Sequence, residues 1–523
     1  MFQHQLQGSF LLEMKNSKSY LLKFSIFATG LSGIVAEYSL ATLASYFLYD
    51  TVVQWTLTVS IMLFSMGIGS QISKRIKKNL LDNFILIEFG LSLLSAYSAM
   101  ICYIAGGITE FYAFFIYGLA ILIGLFIGME IPLVTRINDE YQELNENISS
   151  VLTVDYIGSL IGGLFFAFWG LPKLGLTYTP VLLGALNFIV ASILLFKLKN
   201  TLKYKNKLYI GFAITTVLLI IGAYFARPII LFGEQLNYKG LVIHEEQSKY
   251  QKIVITEWNG AHYLFINRNL QLSTFDEHLY HEPLVHPIMH LSEEPKRILI
   301  LGGGDGCAVR DVLQYQSVDK IDLVDLDSCM TNIGKYQPAF RLQNENSMHH
   351  EKLKIHNIDA FQFMESNQTK YDIIIVDLPD PKSIDLNKLY SKKFYLLCNK
   401  NLNEDGLIIT QAGSPIFATK AFFCIEKTIA AAGFGTIKLH NNVISLGEWG
   451  WVLGSKSLSN TELKSSIIKV DYSDIKSRWI NNNANQFLTS FGKPYVDTTG
   501  IEVNTNSSPV LYSYYLHGNW AHY

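Results

Sequence analysis

The stretch Ile298-Leu-Ile-Leu-Gly-Gly-Gly-Asp-Gly-Cys307 admits few folds. A buried strand runs straight into a glycine turn, and the turn carries an acid where a phosphate-binding loop would carry a base. Downstream, a second apolar strand, Ile373-Ile-Ile-Val376, runs into Asp377-Leu-Pro-Asp-Pro381. Strands of a parallel sheet deliver their C-terminal residues to one edge, so these acids are expected to meet in a single cleft. A cleft shaped by glycine for a nucleoside yet lined by aspartates suits a cationic ligand, which points to a nucleoside sulfonium and an amine.

The surrounding pattern supports such a sheet. Strands are predicted at 297–301, 320–324, 353–356, 372–376 and 406–411, with helices at 307–316, 387–401 and 418–432. This alternation reads as a doubly wound, Rossmann-like α/β domain of the methyltransferase type over 291–455, reached through right-handed crossovers. Before it, Lys252-Ile-Val-Ile-Thr256 and His262-Tyr-Leu-Phe-Ile266 flank Asn259-Gly260. That pair suits a type I′ hairpin turn, so a small β-domain is expected over 235–290. Residues 456–523 form a C-terminal extension.

The N-terminal part obeys different rules. The 523 residues are 49% hydrophobic and only 16% charged, against roughly 25% charged in a soluble domain. The excess is concentrated in a multi-pass helical membrane domain expected over 21–228, after a polar segment at 1–20. A span needs about 20 apolar residues, and seven segments qualify: 21–48, 52–70, 84–106, 109–135, 150–170, 176–197 and 207–226. Lys74-Arg-Ile-Lys-Lys78 and the lysines at 197, 199, 203, 205 and 207 mark cytoplasmic connectors by the positive-inside rule, as do Lys15 and Lys18 for the N-terminus. Seven crossings would then place the C-terminal half outside, whereas a cytosolic substrate asks for a cytoplasmic one. The glycine-rich segment 150–170 is the natural candidate for a re-entrant loop. Glu37, Glu88, Glu130 and Asp155 lie within apolar stretches, where acids serve either helix–helix contacts or a cation path. The run Gly158-Ser-Leu-Ile-Gly-Gly163 suits close helix packing.

Other functions are disfavoured by composition. The net charge of −2 comes with no basic stripe, which argues against nucleic acid as a partner. The five cysteines form no CxxC pair, and neither a disulfide framework nor a thiolate metal site is expected.

Three strand ends carry the chemistry. Gly302 and Gly304 let backbone approach a ligand closely. About twenty residues on, Asp325 ends the second strand where an acid typically binds a ribose diol; the alternative for Asp325 or Asp327 is to cap the next helix. Asp359 is placed to meet an adenine amino group, or to cap a helix. Asp377 and Asp380 end the fourth strand. Alkyl transfer to an amine needs a neutral nitrogen, and a carboxylate at that nitrogen can hold the cation and take its proton. The leaving thioether is neutral, so neither metal nor oxyanion hole is required, and positioning with a negative field suffices.

Together these residues resemble the spermidine synthase (polyamine aminopropyltransferase) family. The matching set is Tyr250-Gln251, Gln271, Asp276-Glu277, Tyr280-His-Glu282, the Gly302–Gly306 turn, Asp325, Asp359-Ala360, Asp377 to Pro381, Leu389-Tyr-Ser391 and Gln411. The apolar segments, Gly447-Glu-Trp-Gly450 and Glu502-Val-Asn-Thr505 resemble its membrane-fused branch. The resemblance implies that Asp377 is the proton acceptor, that Gln251, Asp325, Asp359 and Ala360 hold the nucleoside, and that Tyr280, His281, Asp305, Asp380 and Gln271 face the amine or aminopropyl group. It implies decarboxylated S-adenosylmethionine as co-substrate, with no cofactor, putrescine as acceptor, and association into homo-oligomers. Leu378-Pro379 depart from the soluble pattern. The soluble members' channel tyrosine is also missing, since Asn442-Val-Ile-Ser-Leu-Gly447 stands in that region. The far end of the amine pocket is therefore unassigned. A methyltransferase using intact S-adenosylmethionine, and a transporter with a polyamine-sensing soluble half, are the competing readings.

Overall fold

The computed structural model describes residues 2–48, 51–139, 141, 143–492 and 498–520, with side chains described from Lys18 onward. The chain divides into two compact units, Met1–Leu241 and Val242–Tyr523.

The first unit is helical: α1 (Phe2–Leu48), α2 (Thr51–Ser73), α3 (Leu80–Ile108), α4 (Tyr112–Asn138), α5 (Leu144–Phe165), α6 (Gly175–Lys197) and α7 (Lys205–Gln235). Among the described residues six runs are long and apolar enough to cross a membrane, because α5, a wide-turned segment Phe166–Leu174 and α6 form one helical run of 54 residues. That run nevertheless has two limbs. A side-chain carbon at Gly158 of α5 would lie 2.2 Å from the Phe27 carbonyl oxygen on α1. Asn187 of α6 accepts from Ser32 Oγ on the same stretch of α1 at 2.5 Å. Both limbs therefore flank one part of α1, and the chain reverses between them near Pro172, a residue that breaks helical hydrogen bonding.

The limbs alternate in direction. Arg136, near the end of α4, donates to the carbonyls of Ser73 and Ile76 at 2.8 and 2.9 Å. Asp82, near the start of α3, accepts from the backbone of Lys203 and Tyr204 at 3.0 and 2.7 Å. The lysine-rich connectors thus share one end of the bundle. At the other end Tyr46 of α1 donates to Glu234 in the last turn of α7. Phe64, Phe114, Phe168 and Tyr224 are exposed on the outside, as lipid-facing residues would be, whereas Glu88 and Glu130 are buried within.

The second unit holds two sheets. Strands β1 (Leu241–Gln247), β2 (Lys252–Trp258), β3 (Ala261–Ile266) and β4 (Asn269–Ser273) follow one another in a four-stranded sheet. The β2–β3 turn has Asn259 at φ 51° and Gly260 at φ 76°, the two left-handed residues that a type I′ hairpin requires. This sheet does not own a separate core: Ile253, Ile255, Leu264 and Leu272 pack with Cys307, Met330, Ile333 and Phe340 of the α/β part.

The larger sheet comprises β5 (Arg297–Gly302), β6 (Lys320–Val324), β7 (Leu353–His356), β8 (Tyr371–Asp377), β9 (Leu402–Gly413), β10 (Gly435–Val443) and β11 (Gly447–Ser455), in the order β10-β11-β9-β8-β5-β6-β7. The five neighbouring strands β9-β8-β5-β6-β7 are parallel as predicted. The pair β10–β11 adds an antiparallel edge. The helix predicted at 387–401 is split, because Ser391 caps a new helix, Lys392–Asn401, by accepting from Phe394 N–H. The helix predicted at 307–316 ends at Val312. The extension after 456 is built into the unit: Leu463, Ile467 and Leu488 join the core on one side of the sheet, and Leu511 and Tyr515 that on the other.

Candidate active site

Strand order reverses between β5 and β8, and the site lies at their carboxyl ends, where doubly wound sheets bind ligands. Gly302 and Asp377 are register partners across these strands. The Gly303 N–H donates to the Asp377 carbonyl at 3.2 Å. Gly302 has φ 85°, and a side-chain carbon there would lie 1.9 Å from that carbonyl oxygen, so this position admits only glycine. At Gly304 such a carbon would meet Asp325 Oδ2 at 2.7 Å, which shows how closely the turn approaches the acid of β6. A cavity of about 190 Å³ opens here.

The cavity collects all the predicted site residues. Gln251, Gln271, Tyr280, His281, Gly302, Gly304, Asp305, Asp325, Asp359, Ala360, Asp377 and Asp380 all line it. The two acids that follow β6 divide their labour. Asp327 caps the helix Ser328–Tyr336 through Cys329 N–H at 3.1 Å and also accepts from Ser248 Oγ at 2.7 Å. Asp325 accepts the Asp327 N–H at 2.9 Å, and the backbone N–H of Gly304 also points at its carboxylate. Burial and the neighbouring Asp327 and Asp305 push it up to about 6. Asp359 does cap a helix, accepting from Gln362 N–H at 3.0 Å, and its other oxygen accepts from Lys388 Nζ at 3.0 Å. Burial would raise its pKa, but those donors hold it below the usual carboxylate range.

The reacting centre is built by the helix α8 (His278–Leu291) facing the two motifs. Tyr280 Oη donates to Asp377 Oδ1 at 2.6 Å, and its ring packs edge-on against Trp451 at 5.4 Å. His281 Nε2 stands 3.8 Å from Asp305 Oδ1 and 3.9 Å from Asp377 Oδ2, while its Nδ1 bonds Glu277 Oε2 at 2.8 Å. Glu277 is itself gripped by Arg310 at 2.8 Å and Gln343 at 2.6 Å. Burial would lower the His281 pKa, but Glu277, Asp305 and Asp377 raise it to about 9. Burial and Asp305 raise Asp377 to about 6, against the pull of His281 and Tyr280. Atoms of His281, Asp305 and Asp377 lie within 4.8 Å of one another, a spacing that a metal could use.

Around Asp380 the fold brings Gln411, which belongs to the matching set, and Tyr515, which sequence reasoning missed. Asp380 Oδ2 accepts from Tyr515 Oη at 2.7 Å, and Gln411 Nε2 stands 3.4 Å from Oδ1. Tyr515 belongs to the C-terminal helix Val510–Leu516. Its phenol backs Asp380 from the core and is not itself part of the cavity lining. Asp276 accepts from Ser445 N–H and Oγ at 2.6 and 2.9 Å, which seats Leu446 and Trp449 in the wall. Glu282, from the matching set, does not reach the cavity. Its carboxylate accepts the N–H groups of Arg478, Trp479 and Ile480 at 2.6, 2.9 and 2.7 Å, fastening α8 to the extension.

A glycine turn, a buried acid at the end of the next strand and a carboxylate cluster around one helix fit a nucleoside-dependent transferase of the Rossmann-like class. Comparison narrows the class: residues 277–465 match the spermine/spermidine synthase domain. Polyamine aminopropyltransferase 2 of Aquifex aeolicus (strain VF5) is 43% identical over 504 residues, covering 95% of this chain and 99% of that protein. The polyamine aminopropyltransferase of Oceanobacillus iheyensis is 36% identical over 515 residues, covering 97% and 98% respectively. A crystal structure of spermidine synthase in complex with the transition-state analogue AdoDATO matches 48% of this chain and 85% of that one, with TM-score 0.44 and 24% identity. The chain belongs to the polyamine aminopropyltransferase family.

Proposed function

We propose that this protein transfers the aminopropyl group of decarboxylated S-adenosylmethionine to putrescine, giving spermidine and methylthioadenosine. The observation that carries this reading is the convergence of Asp305, Asp377 and Asp380 in one cavity with the nucleoside-facing Asp325. Three acids suit a donor and an acceptor that are both cationic. Gln251, Gly302, Gly304, Asp325, Asp359 and Ala360 hold the nucleoside; Tyr280, His281, Asp305, Asp380 and Gln271 hold the aminopropyl group and the amine.

The acceptor nitrogen loses a proton to Asp377 and its lone pair attacks the carbon bound to sulfur. The C–N bond forms as the C–S bond breaks, and the electron pair leaves with a neutral thioether. Asp377 then passes the proton to solvent. No electron acceptor or Lewis acid enters this balance, so we also propose that the reaction needs no cofactor or metal.

The long apolar helices of the first unit support a location in the cell membrane, with the lipid bilayer as a partner, and the family resemblance favours a homo-oligomer. A cytosolic donor favours cytoplasmic exposure of the catalytic unit, whereas the lysine-rich bundle end opposite the end of α7 favours the other side. Protease digestion of right-side-out and inverted vesicles separates these two arrangements. For the activity itself, detergent-solubilised protein is incubated with the donor and putrescine, cadaverine or spermidine, and methylthioadenosine is followed by mass spectrometry. Product is expected with putrescine; its absence with every amine would overturn the reading.

A further inference from the structure

The acceptor end of the cavity carries a cation of its own. Lys382 Nζ lies 3.6 Å from Asp380 Oδ2, the same oxygen that accepts from Tyr515. The ammonium also donates to Asn269 Oδ1 at 3.1 Å and stands 5.9 Å from the centre of the Tyr515 ring. A tight turn sets this arrangement, since Lys382 N–H donates to the Asp380 carbonyl at 2.7 Å. The carboxylate is inside and the lysine at the rim: their side chains are 9% and 36% exposed.

A diamine whose reacting nitrogen meets Asp377 needs an anion for its distal ammonium. On the aminopropyltransferase reading, on which this inference rests, Asp380 is that anion, yet it is already paired. We propose that Lys382 is a built-in competitor of the acceptor amine, so that the distal ammonium binds by exchange with the lysine, which swings into solvent. The geometry suits exchange. A distance of 3.6 Å is an ion pair without a close hydrogen bond, and a half-exposed lysine on a flexible stem is held weakly. Tyr515 is 5% exposed and anchored in the core, so it keeps Asp380 oriented while the cations change places. Because one ammonium replaces another, the acceptor gains little net attraction at Asp380. Its affinity is held below what the free carboxylate would give.

The test compares Lys382→Met, which keeps an apolar stem without the charge, with Lys382→Arg. Lys382→Met is expected to lower KM for putrescine about two- to five-fold, the value of a weak exposed pair, with KM for decarboxylated S-adenosylmethionine unchanged. Lys382→Arg is expected to retain the wild-type KM. Calorimetric titration of putrescine into protein holding methylthioadenosine should show the same gain without turnover. An unchanged or raised putrescine KM in a Lys382→Met protein that unfolds at the wild-type temperature would overturn the competitor. Failure of the wild type to form methylthioadenosine with any amine would instead overturn the functional reading and this inference with it.

Discussion

Tyr280 Oη donates to Oδ1 of Asp377 at 2.6 Å, while the adjacent residue of the same helix, His281, stands 3.9 Å from Oδ2. One turn of α8 thus addresses both oxygens of the carboxylate proposed to receive the proton. Tyr280 favours the ionised form of Asp377, whose pKa burial has raised to about 6. Since the base must be ionised, turnover is expected to fall as pH drops through about 6. Tyr280→Phe removes a donor to the anion, so the acid limb of the pH–rate profile should move to higher pH. A limb that stays in place would separate it from Asp377.

Asp377→Asn keeps the shape and removes the acceptor of the proton. The expected loss in kcat is about 10²- to 10⁴-fold, the range for general-base catalysis. Equilibrium binding of methylthioadenosine should persist, because the nucleoside is held by other residues.

His281 carries a stability signature. Its pKa is raised to about 9 by Glu277 and the two aspartates, against the effect of burial. A raised pKa means that the protonated pair stabilises the fold fully below the unfolded value of about 6.5. That stability is lost as pH rises through about 9. The contribution is on the order of 3 kcal/mol. Thermal unfolding of wild type should therefore weaken more steeply between neutral and alkaline pH than that of His281→Gln.

Asp325 and Asp359 line the same cavity but differ in how they are engaged. Asp325→Ala should raise the donor KM by at least about ten-fold through loss of a buried polar contact, with little change in melting temperature. Asp359→Ala removes both a helix cap and the Lys388 ion pair. It should cost about 1 kcal/mol of stability from the cap alone. Parallel measurement of donor KM and unfolding temperature distinguishes the two.

The alternating limbs of the first unit make a topological prediction. Cysteines introduced as Ile76→Cys, between the basic residues of the first connector, and Asn237→Cys, after α7, should react with an impermeant thiol reagent from opposite faces of a vesicle. Labelling is scored against the native cysteines of the wild type, and reaction from one face would contradict the seven-limb count.

The catalytic centre was legible because its parts are local. A strand running into glycines, and acids at strand ends, are read from neighbours in sequence, so Gly302, Asp325 and Asp377 fall where predicted. The type I′ turn at Asn259-Gly260 was legible for the same reason. Other parts depend on distant partners. Whether Asp359 faces a ligand or caps a helix is settled by Gln362 and Lys388, and nothing in its own motif decides between them. The grip of Arg310 on Glu277 needs two helices to meet, and the split at Ser391 follows from a cap inside an otherwise helical pattern. Hydropathy found seven apolar segments but could not show that two of them belong to a single helical run that folds back. Tyr515 had no local signal at all: an aromatic in a tail is ordinarily a core residue, and only the folded extension brings it to Asp380.

That last contact separates two moments in the life of the chain. Tyr515 lies 135 residues beyond Asp380, so at a synthesis rate of roughly 5–20 residues per second the acid leaves the ribosome on the order of ten seconds before its phenol. During that interval the glycine turn can already be folding, while Asp380 lacks the phenol that donates to it. Asp325 and Asp377 can thus be set at their strand ends before Asp380 gains its last partner. A pause in translation within this window would leave a chain whose Asp380 carboxylate is held by fewer donors than in the finished fold.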